Sequence, residues 1–233
     1  MIDRHERLER LSVFVSVRGV SGMEDAGGPS RWSIEKFGLP LATTLRILVP
    51  AALRRAVELA QDAREASELD TDHAFGPVRW KQQYEVLHEY LRDLPDVADV
   101  HPPGAQVRVT ICRGHLLLPW RYATRSDLDM RDARPGRDLN RLIRDLLILF
   151  GPEPSHEEVT LPLMPLTPEE ARDRSPLREA VEQLTDEPRV LLVGFACNSD
   201  EGLLRVSWGE AALLGGAELK WGHVEDLPVA GAR

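Results

Sequence analysis

The sequence is poor in lysine and in cysteine. Only three of its 29 basic residues are lysines, and the other 26 are arginines. The chain is also rich in Ala, Leu, Gly and Pro, and this joint bias favours GC-rich codon usage over a selected arginine surface. Two cysteines, Cys112 and Cys197, are too few for a disulfide framework and lie in apolar contexts. We therefore expect buried free thiols in a reducing cytoplasm.

Long apolar runs and metal-binding spacings are also missing. No apolar run approaches the roughly 18 residues that a membrane helix needs. The N-terminal segment MIDRHERLERL is charged from residue 3 and lacks the apolar core of a secretory signal. The seven histidines are scattered, and the sequence has no HxxxH, HxH or CxxC spacing. These absences predict a soluble, cytoplasmic protein without membrane contact, metal or cofactor.

What the chain does contain is typical of a globular protein. It has 233 residues, of which 42% are hydrophobic and 29% are charged. A chain of this length can bury roughly 70% of its unfolded surface. We predict one α+β domain over residues 1–233, in which the proline-rich stretch at 152–168 is the only candidate boundary.

Periodicity of apolar residues predicts a mostly antiparallel sheet packed against about four helices. Alternating patterns predict an N-terminal strand at 11–19, a second strand at 40–50, a hairpin near 106–122 that turns at Arg113-Gly114, an extended segment at 157–166, and a C-terminal three-stranded meander near 189–224. Helical spacing predicts helices near 51–69, 78–94, 137–150 and 168–184. We expect Pro50 close to the start of the first helix and a break at Pro176 in the last.

Charge is distributed unevenly along the chain. Residues 151–233 hold 7 basic and 16 acidic side chains, a net charge of −9, whereas residues 1–150 are neutral. Within the neutral part, residues 108–144 carry nine arginines against four aspartates, a net charge of +5. We expect this basic stretch to pack against the acidic final third, and the alternative is an outward surface for an anionic partner.

The segment PWRYATRSDLDMRDARPGRD, residues 119–138, gives the candidate binding residues. Its arginines Arg121, Arg125, Arg131 and Arg134 are interleaved with aromatic residues, as in many nucleic-acid surfaces. The interleaved aspartates weaken that interpretation, and arginine loops of mixed sign also occur in protein interfaces. A protein partner is therefore favoured, and nucleic acid is the disfavoured alternative.

Two patterns raise the question of catalysis. Glu218-Leu219-Lys220 has the carboxylate-any-lysine order of many metal-dependent nucleases, and Asp200 is an acceptable second metal ligand. However, only 13 residues follow Lys220, and the triplet lies in the acidic third, which would repel a polyphosphate. Cys197 with His115 or His223 would form a cysteine–histidine dyad, but no spacing fixes that geometry.

We therefore assign no catalytic residue and expect a surface strand at the triplet. The function predicted is that of a non-enzymatic accessory or adaptor subunit that acts through protein–protein contacts. The alternative is a metal-dependent nuclease or phosphoryl-transfer enzyme that uses Asp200, Glu218 and Lys220.

Overall fold

The structure is a computed structural model that describes residues 27–67, 73–135, 139–153, 167–215 and 218–229. The strand predicted at 11–19 and the extended segment predicted at 157–166 lie outside the described residues. In the described part, the chain forms an α+β fold with a mostly antiparallel sheet, as predicted. The assignment of residues 1–233 to one domain stays a prediction.

The described sheet has six strands that lie side by side in chain order. All neighbours pair antiparallel except the third and fourth strands, which are parallel. The hairpin and the meander are thus confirmed, whereas the parallel pairing was not predicted. The strands are β1 Val97–Val100, β2 Val109–Cys112, β3 His115–Ala123, β4 Arg189–Asn198, β5 Gly202–Leu213 and β6 Leu219–Leu227.

The hairpin between β2 and β3 turns where the sequence predicts it. Arg113 and Gly114 both have positive φ, at 46° and 77°, and Cys112 pairs with His115. Two central residues with positive φ define the tight turn whose twist matches that of the flanking strands. Glycine suits the second position because a Cβ there would also meet the Glu187 carbonyl oxygen at 3.2 Å.

Five helices are described around the sheet: α1 Arg31–Phe37, α2 Leu39–Ala66, α3 Phe75–Leu91, α4 Arg141–Phe150 and α5 Pro168–Glu182. The first three pack mainly on one face of the sheet, and α4 and α5 pack on the other. In the described residues, no single helix is long and apolar enough to span a membrane, although α1 and α2, bent by 107°, meet the criteria of length and composition as a pair.

Helix α2 corrects the prediction of a strand at 40–50. The segment is helical, and Pro50 lies inside the helix instead of near its start. Leu41, Leu45 and Val49 recur every four residues and are all buried, so they form one helical face that continues beyond the proline. The four-residue spacing of these buried side chains fits a helix better than a strand, in which side chains alternate every two residues.

Helix α5 corrects a second prediction about proline. It runs continuously from Pro168 to Glu182 with Pro176 in its interior, and is not broken there. Its start is confirmed, because the Thr167 side chain caps the helix in a reciprocal capping box with Glu170. Proline removes one backbone donor without forbidding a helix.

A buried carboxylate, Glu225 on β6, joins the sheet to the first two helices. It accepts hydrogen bonds from Ser30 N at 3.0 Å, Ser30 Oγ at 2.7 Å, Ser33 Oγ and Trp208 Nε1 at 3.1 Å. Arg46 Nη1 on α2 lies 2.8 Å from Glu225 Oε1. Burial alone would raise the pKa of Glu225, but the hydrogen bonds from Ser33, Ser30 and Trp208 outweigh it and lower the pKa. Glu225 is therefore ionised at neutral pH and fixes the start of α1 against the sheet.

Ion pairs with α1 and α2 partly neutralise the acidic final third. Lys36 Nζ lies 2.6 Å from Glu210 Oε1, Arg46 pairs with Glu225, and Arg64 Nη1 lies 2.9 Å from Asp200 Oδ1. Residues 108–144 do pack against the final third, because β3 pairs with β4 and Met130 lies against Gly194. The ion pairs described for this stretch do not link its arginines to carboxylates of the final third. They all go to aspartates close in the fold: Arg108–Asp99, Arg113–Asp96, Arg125–Asp127, Arg131–Asp129 and Arg141–Asp145.

Candidate anion-binding cleft

A cleft of about 430 Å³ opens at the carboxyl end of β3, beside the parallel strand β4. Its size falls in the range of roughly 300–1,000 Å³ that is usual for small-ligand sites. In sheets, the crevice beyond the carboxyl ends of parallel strands is a common place for ligands. We call it the arginine cleft, and it is lined by Arg79, Arg121, Tyr122, Ala123, Thr124, Arg125 and Leu128.

Local backbone geometry explains why the cleft forms there. The pairing of β3 with β4 has a bulge between Arg121 and Ala123, and β3 ends at Ala123, which pairs with Ala196. The chain then leaves the sheet toward a 3-10 turn at Met130–Asp132. Helix α3 forms the opposite wall and is held against β3 because Gln83 Nε2 donates to the Pro119 carbonyl oxygen at 3.1 Å. The cleft is thus the gap between a departing strand and a covering helix.

Arg79 on α3 is the most constrained arginine in the cleft. Its Nη1 donates to Gln83 Oε1 at 2.9 Å, and its guanidinium lies 5.9 Å from the centroid of the Phe195 ring. Its Nε is buried without a hydrogen-bond partner. Burial and the neighbouring charge of Arg121 lower the pKa of Arg79 to about 10. The Arg79 guanidinium is therefore still charged at neutral pH, although burial and the positive charge of Arg121 both disfavour its charged form.

The positive charge of the cleft is not balanced by the residues that line it. Of the ion pairs in the described part of the chain, none involves Arg79 or Arg121. Arg125 does pair with Asp127 at 3.1 Å, but both side chains are exposed. Partly buried charges normally have a counterion, because desolvation without one costs several kcal/mol. Two adjacent guanidiniums without a carboxylate therefore define a site that favours an anion.

Cys197 on β4 lies beside these arginines and is buried. Burial raises the pKa of its thiol, and the charges of Arg79 and Arg121 oppose that effect without overcoming it. The thiol is therefore neutral at pH 7. His115 and His223, the candidate partners for a cysteine–histidine dyad that was not assigned, are both far from it. His115 pairs with Arg189 at the other end of β4, roughly 25 Å away along the strand, and His223 pairs with Glu210, well along β5.

The structure brings together two of the four predicted binding arginines. Arg121 and Arg125 line the cleft. Arg131 turns away, because its Nη2 donates to the Val224 carbonyl oxygen at 2.7 Å. Arg134 is exposed and does not line the cleft. That Arg121 and Arg125 bind a partner remains a prediction, whereas the positions of Arg131 and Arg134 give no support to a role for them in the cleft.

Sequence reasoning missed Arg79. The stripe of Trp80, Tyr84, Leu87 and Leu91 correctly predicts a core-facing helix, and Tyr84, Leu87 and Leu91 are buried. Arg79 and Gln83, four residues apart on that helix, are polar side chains next to the apolar stripe. That spacing is the only local signal, and it did not reveal that Arg121, 42 positions further along the chain, would lie nearby.

The residues of the proposed nuclease site are not brought together. Asp200 lies in the turn between β4 and β5, and Glu218 lies just before β6, at the opposite end of β5. The twelve residues of β5 separate them by more than roughly 30 Å. Leu219 and Trp221 are partly buried and pack against the core on the α4 side. Lys220 thus lies on β6, the last strand of the described sheet, and Glu218 lies just before it, both far from Asp200.

In the described ranges, no group of three or more His, Cys, Asp or Glu residues could hold a metal ion. No protein-family model, curated protein or solved structure matches the chain. Functional assignment therefore depends on the geometry and charge of the arginine cleft.

Proposed function

We propose that this protein is a non-enzymatic accessory or adaptor subunit that acts through protein–protein contacts, and that its arginine cleft receives an anionic group of the partner. The observation that supports this proposal is the adjacency of Arg79 and Arg121 in an open cleft without a carboxylate among its lining residues. An anion that enters the cleft removes the like-charge repulsion and supplies acceptors to the guanidinium donors.

The groups that line the cleft are suited to binding. Guanidinium groups hold their charge across the physiological pH range and present several donors in a fixed plane. The Tyr122 phenol, whose pKa burial raises to about 12, stays neutral at pH 7. The arginine guanidiniums and the Tyr122 phenol can therefore bind an anion without transferring a proton to it.

Charge at the rim favours a single anionic group over a polyanion. Asp127 pairs with Arg125, so the rim is close to neutral while the interior of the cleft is positive. A nucleic-acid backbone is bound through many cations along a surface, which a rim of mixed sign does not provide. A protein partner that inserts one acidic or modified side chain fits this distribution, and arginine is enriched in protein interfaces.

The test is affinity capture from the native host with wild-type protein and two variants. Arg121→Gln removes one charge from the cleft, and Arg134→Gln makes the same change at an exposed position outside it. We expect one stoichiometric partner with wild type and with Arg134→Gln, and a loss of at least tenfold with Arg121→Gln. Equal recovery of that partner with all three proteins would show that the cleft is not the contact.

A further inference from the structure

The balance of charge in the arginine cleft indicates which kind of anion it accepts. Arg79 and Arg121 carry two positive charges, and no ion pair described for the chain neutralises either. One carboxylate would neutralise one of them. A phosphoryl monoester carries a charge of about −1.5 to −2 at pH 7 and would neutralise both. The charge in the cleft therefore matches a dianion better than a carboxylate.

The hydrogen-bonding capacity of the two arginines leads to the same kind of ligand. Each guanidinium has five N–H donors. Arg79 Nη1 donates a hydrogen bond to Gln83 Oε1, and the buried Arg79 Nε has no acceptor among the described residues. A phosphoryl group has three acceptor oxygens in a tetrahedral arrangement, so it can bridge two guanidiniums that approach from different elements, here α3 and β3. A carboxylate has two oxygens in one plane and can be satisfied by a single arginine.

Position and volume are also consistent with a phosphoryl group. The cleft, at about 430 Å³, is large enough for a phosphorylated side chain with its flanking atoms. Thr124, which is exposed, lies at its rim, where it can add a hydroxyl donor. The Thr124 carbonyl oxygen is occupied by Asn198 Nδ2 at 3.2 Å, which fixes the rim to β4.

We propose that the group bound in the arginine cleft is a phosphoryl monoester dianion, carried by a phosphorylated side chain of the partner protein and bridged between Arg79 and Arg121. This inference rests on the proposed function, because it names the anionic group that the partner inserts. A free phosphate ester has the same chemistry, and the experiment separates the two sources.

The first arm of the test is calorimetric titration of the full chain with methyl phosphate, sulfate and acetate. Methyl phosphate passes from monoanion to dianion around pH 6, whereas sulfate is a dianion throughout. From pH 5 to pH 7.5 we expect the affinity for methyl phosphate to rise roughly tenfold. Affinity for sulfate should change little over this range, and acetate should bind at least tenfold more weakly than methyl phosphate at pH 7.5.

The protein groups around the cleft do not account for such a rise. Arg79 stays protonated in this range, because its pKa is about 10. Burial raises the pKa values of Tyr84 and Tyr122 to about 12 and also raises the pKa of the Cys197 thiol, so these three groups stay neutral. Arg121 and Arg125 are cations. Of the carboxylates near the rim, Asp127 pairs with Arg125, and Glu201 accepts from Asn198 at 2.7 Å. Asp129 and Asp226 lie near the Tyr122 phenol and both pair with Arg205. Hydrogen bonds from Arg131 and Arg205 outweigh burial and lower the pKa of Asp129, so it stays ionised across this range. Asp127→Asn and Glu201→Gln should therefore keep the pH profile.

Variants locate the binding. Arg121→Gln and Arg79→Gln should each lower the affinity for methyl phosphate at least tenfold, and Arg134→Gln should leave it within twofold. Circular dichroism of each variant checks that a loss is not caused by unfolding. A flat pH profile for methyl phosphate, or acetate binding as tight as that of methyl phosphate, would overturn the inference.

The second arm of the test distinguishes a phosphorylated partner protein from a free phosphate ester. Together with the first arm, it also distinguishes failure of the phosphoryl assignment from failure of the proposed function. Phosphatase treatment of the host extract before capture should abolish recovery of the partner, and unchanged recovery would assign the cleft to a free phosphate ester or to a carboxylate. If acetate binds tightly and Arg121→Gln abolishes that binding, the anion-receiving cleft stands and the phosphoryl assignment fails. If no probe distinguishes wild type from Arg121→Gln, both proposals fail.

Discussion

Replacing Glu225 by glutamine tests how the sheet is joined to the first two helices. The substitution keeps the size of the side chain but removes the charge that accepts hydrogen bonds from Ser30, Ser33, Trp208 and Arg46. Removing one partner of a buried ion pair typically costs 3–5 kcal/mol. Because glutamine keeps one acceptor oxygen, we expect the free energy of unfolding to fall by about 3 kcal/mol.

The assay is thermal or urea denaturation of Glu225→Gln beside a matched control. For a chain of this size, about 3 kcal/mol corresponds to a decrease in Tm of roughly 6–12 °C. Glu218→Gln makes the same change of charge at an exposed position and should alter stability by less than about 0.5 kcal/mol. A loss below about 1 kcal/mol in Glu225→Gln would refute the idea that this carboxylate anchors α1 and α2.

The pH dependence gives an independent check on the same residue. The pKa of Glu225 is lower in the folded protein than its ordinary value of 4.5. A carboxylate with a lowered pKa stabilises the fold above the ordinary value, and this contribution is lost as pH falls through the folded pKa. The difference in stability between wild type and Glu225→Gln should therefore be full above about pH 5.5 and should shrink steadily below about pH 4.5.

Two further predictions concern the other face of the sheet and the alternative function. A Cβ at Gly194 would overlap the sulfur of the buried Met130, so Gly194→Ala should lower the free energy of unfolding by about 1–3 kcal/mol. Adding Met130→Ala to Gly194→Ala should restore part of this loss. A Gly194→Ala variant as stable as wild type would contradict this packing. Incubation of DNA or RNA with the protein and Mg²⁺ or Mn²⁺ should give no cleavage that depends on Glu218 or Lys220, because Asp200 lies at the other end of β5. Cleavage abolished by both Glu218→Ala and Lys220→Ala, with the fold intact, would restore the nuclease hypothesis.

Local patterns in the sequence predicted the elements whose structure depends on neighbouring residues. Arg113-Gly114 specifies a tight turn, and Thr167 with Glu170 specifies a helix start, because their hydrogen bonds and dihedral angles involve only a few consecutive positions. Helix α4 was predicted for residues 137–150 from its apolar spacing. It begins at Arg141 after the cap Asn140, with Ile143, Leu146 and Leu147 buried.

Predictions based on proline were less accurate. Proline was expected near the start of one helix and as a break in another, but Pro50 and Pro176 both lie inside helices. A single proline removes one backbone hydrogen bond, and this cost of about 3 kcal/mol is offset when the helix buries enough apolar surface. For α2, the buried face on both sides of Pro50 supplies that surface. The local penalty is visible in the sequence, whereas the compensating burial is a property of the packed structure.

The sequence by itself thus determined the fold class, the hairpin, the meander, most helices and the buried state of both cysteines. Only the tertiary structure decided that β3 and β4 are parallel neighbours and that Arg79 and Arg121 share a cleft. A parallel pair needs a long crossover, and here β3 and β4 are separated by residues 124–188. The cleft is formed where this crossover leaves the sheet beneath a helix from much earlier in the chain. Its positive charge comes from Arg79 and Arg121, which are far apart in sequence. No local sequence pattern could therefore predict that they would lie together.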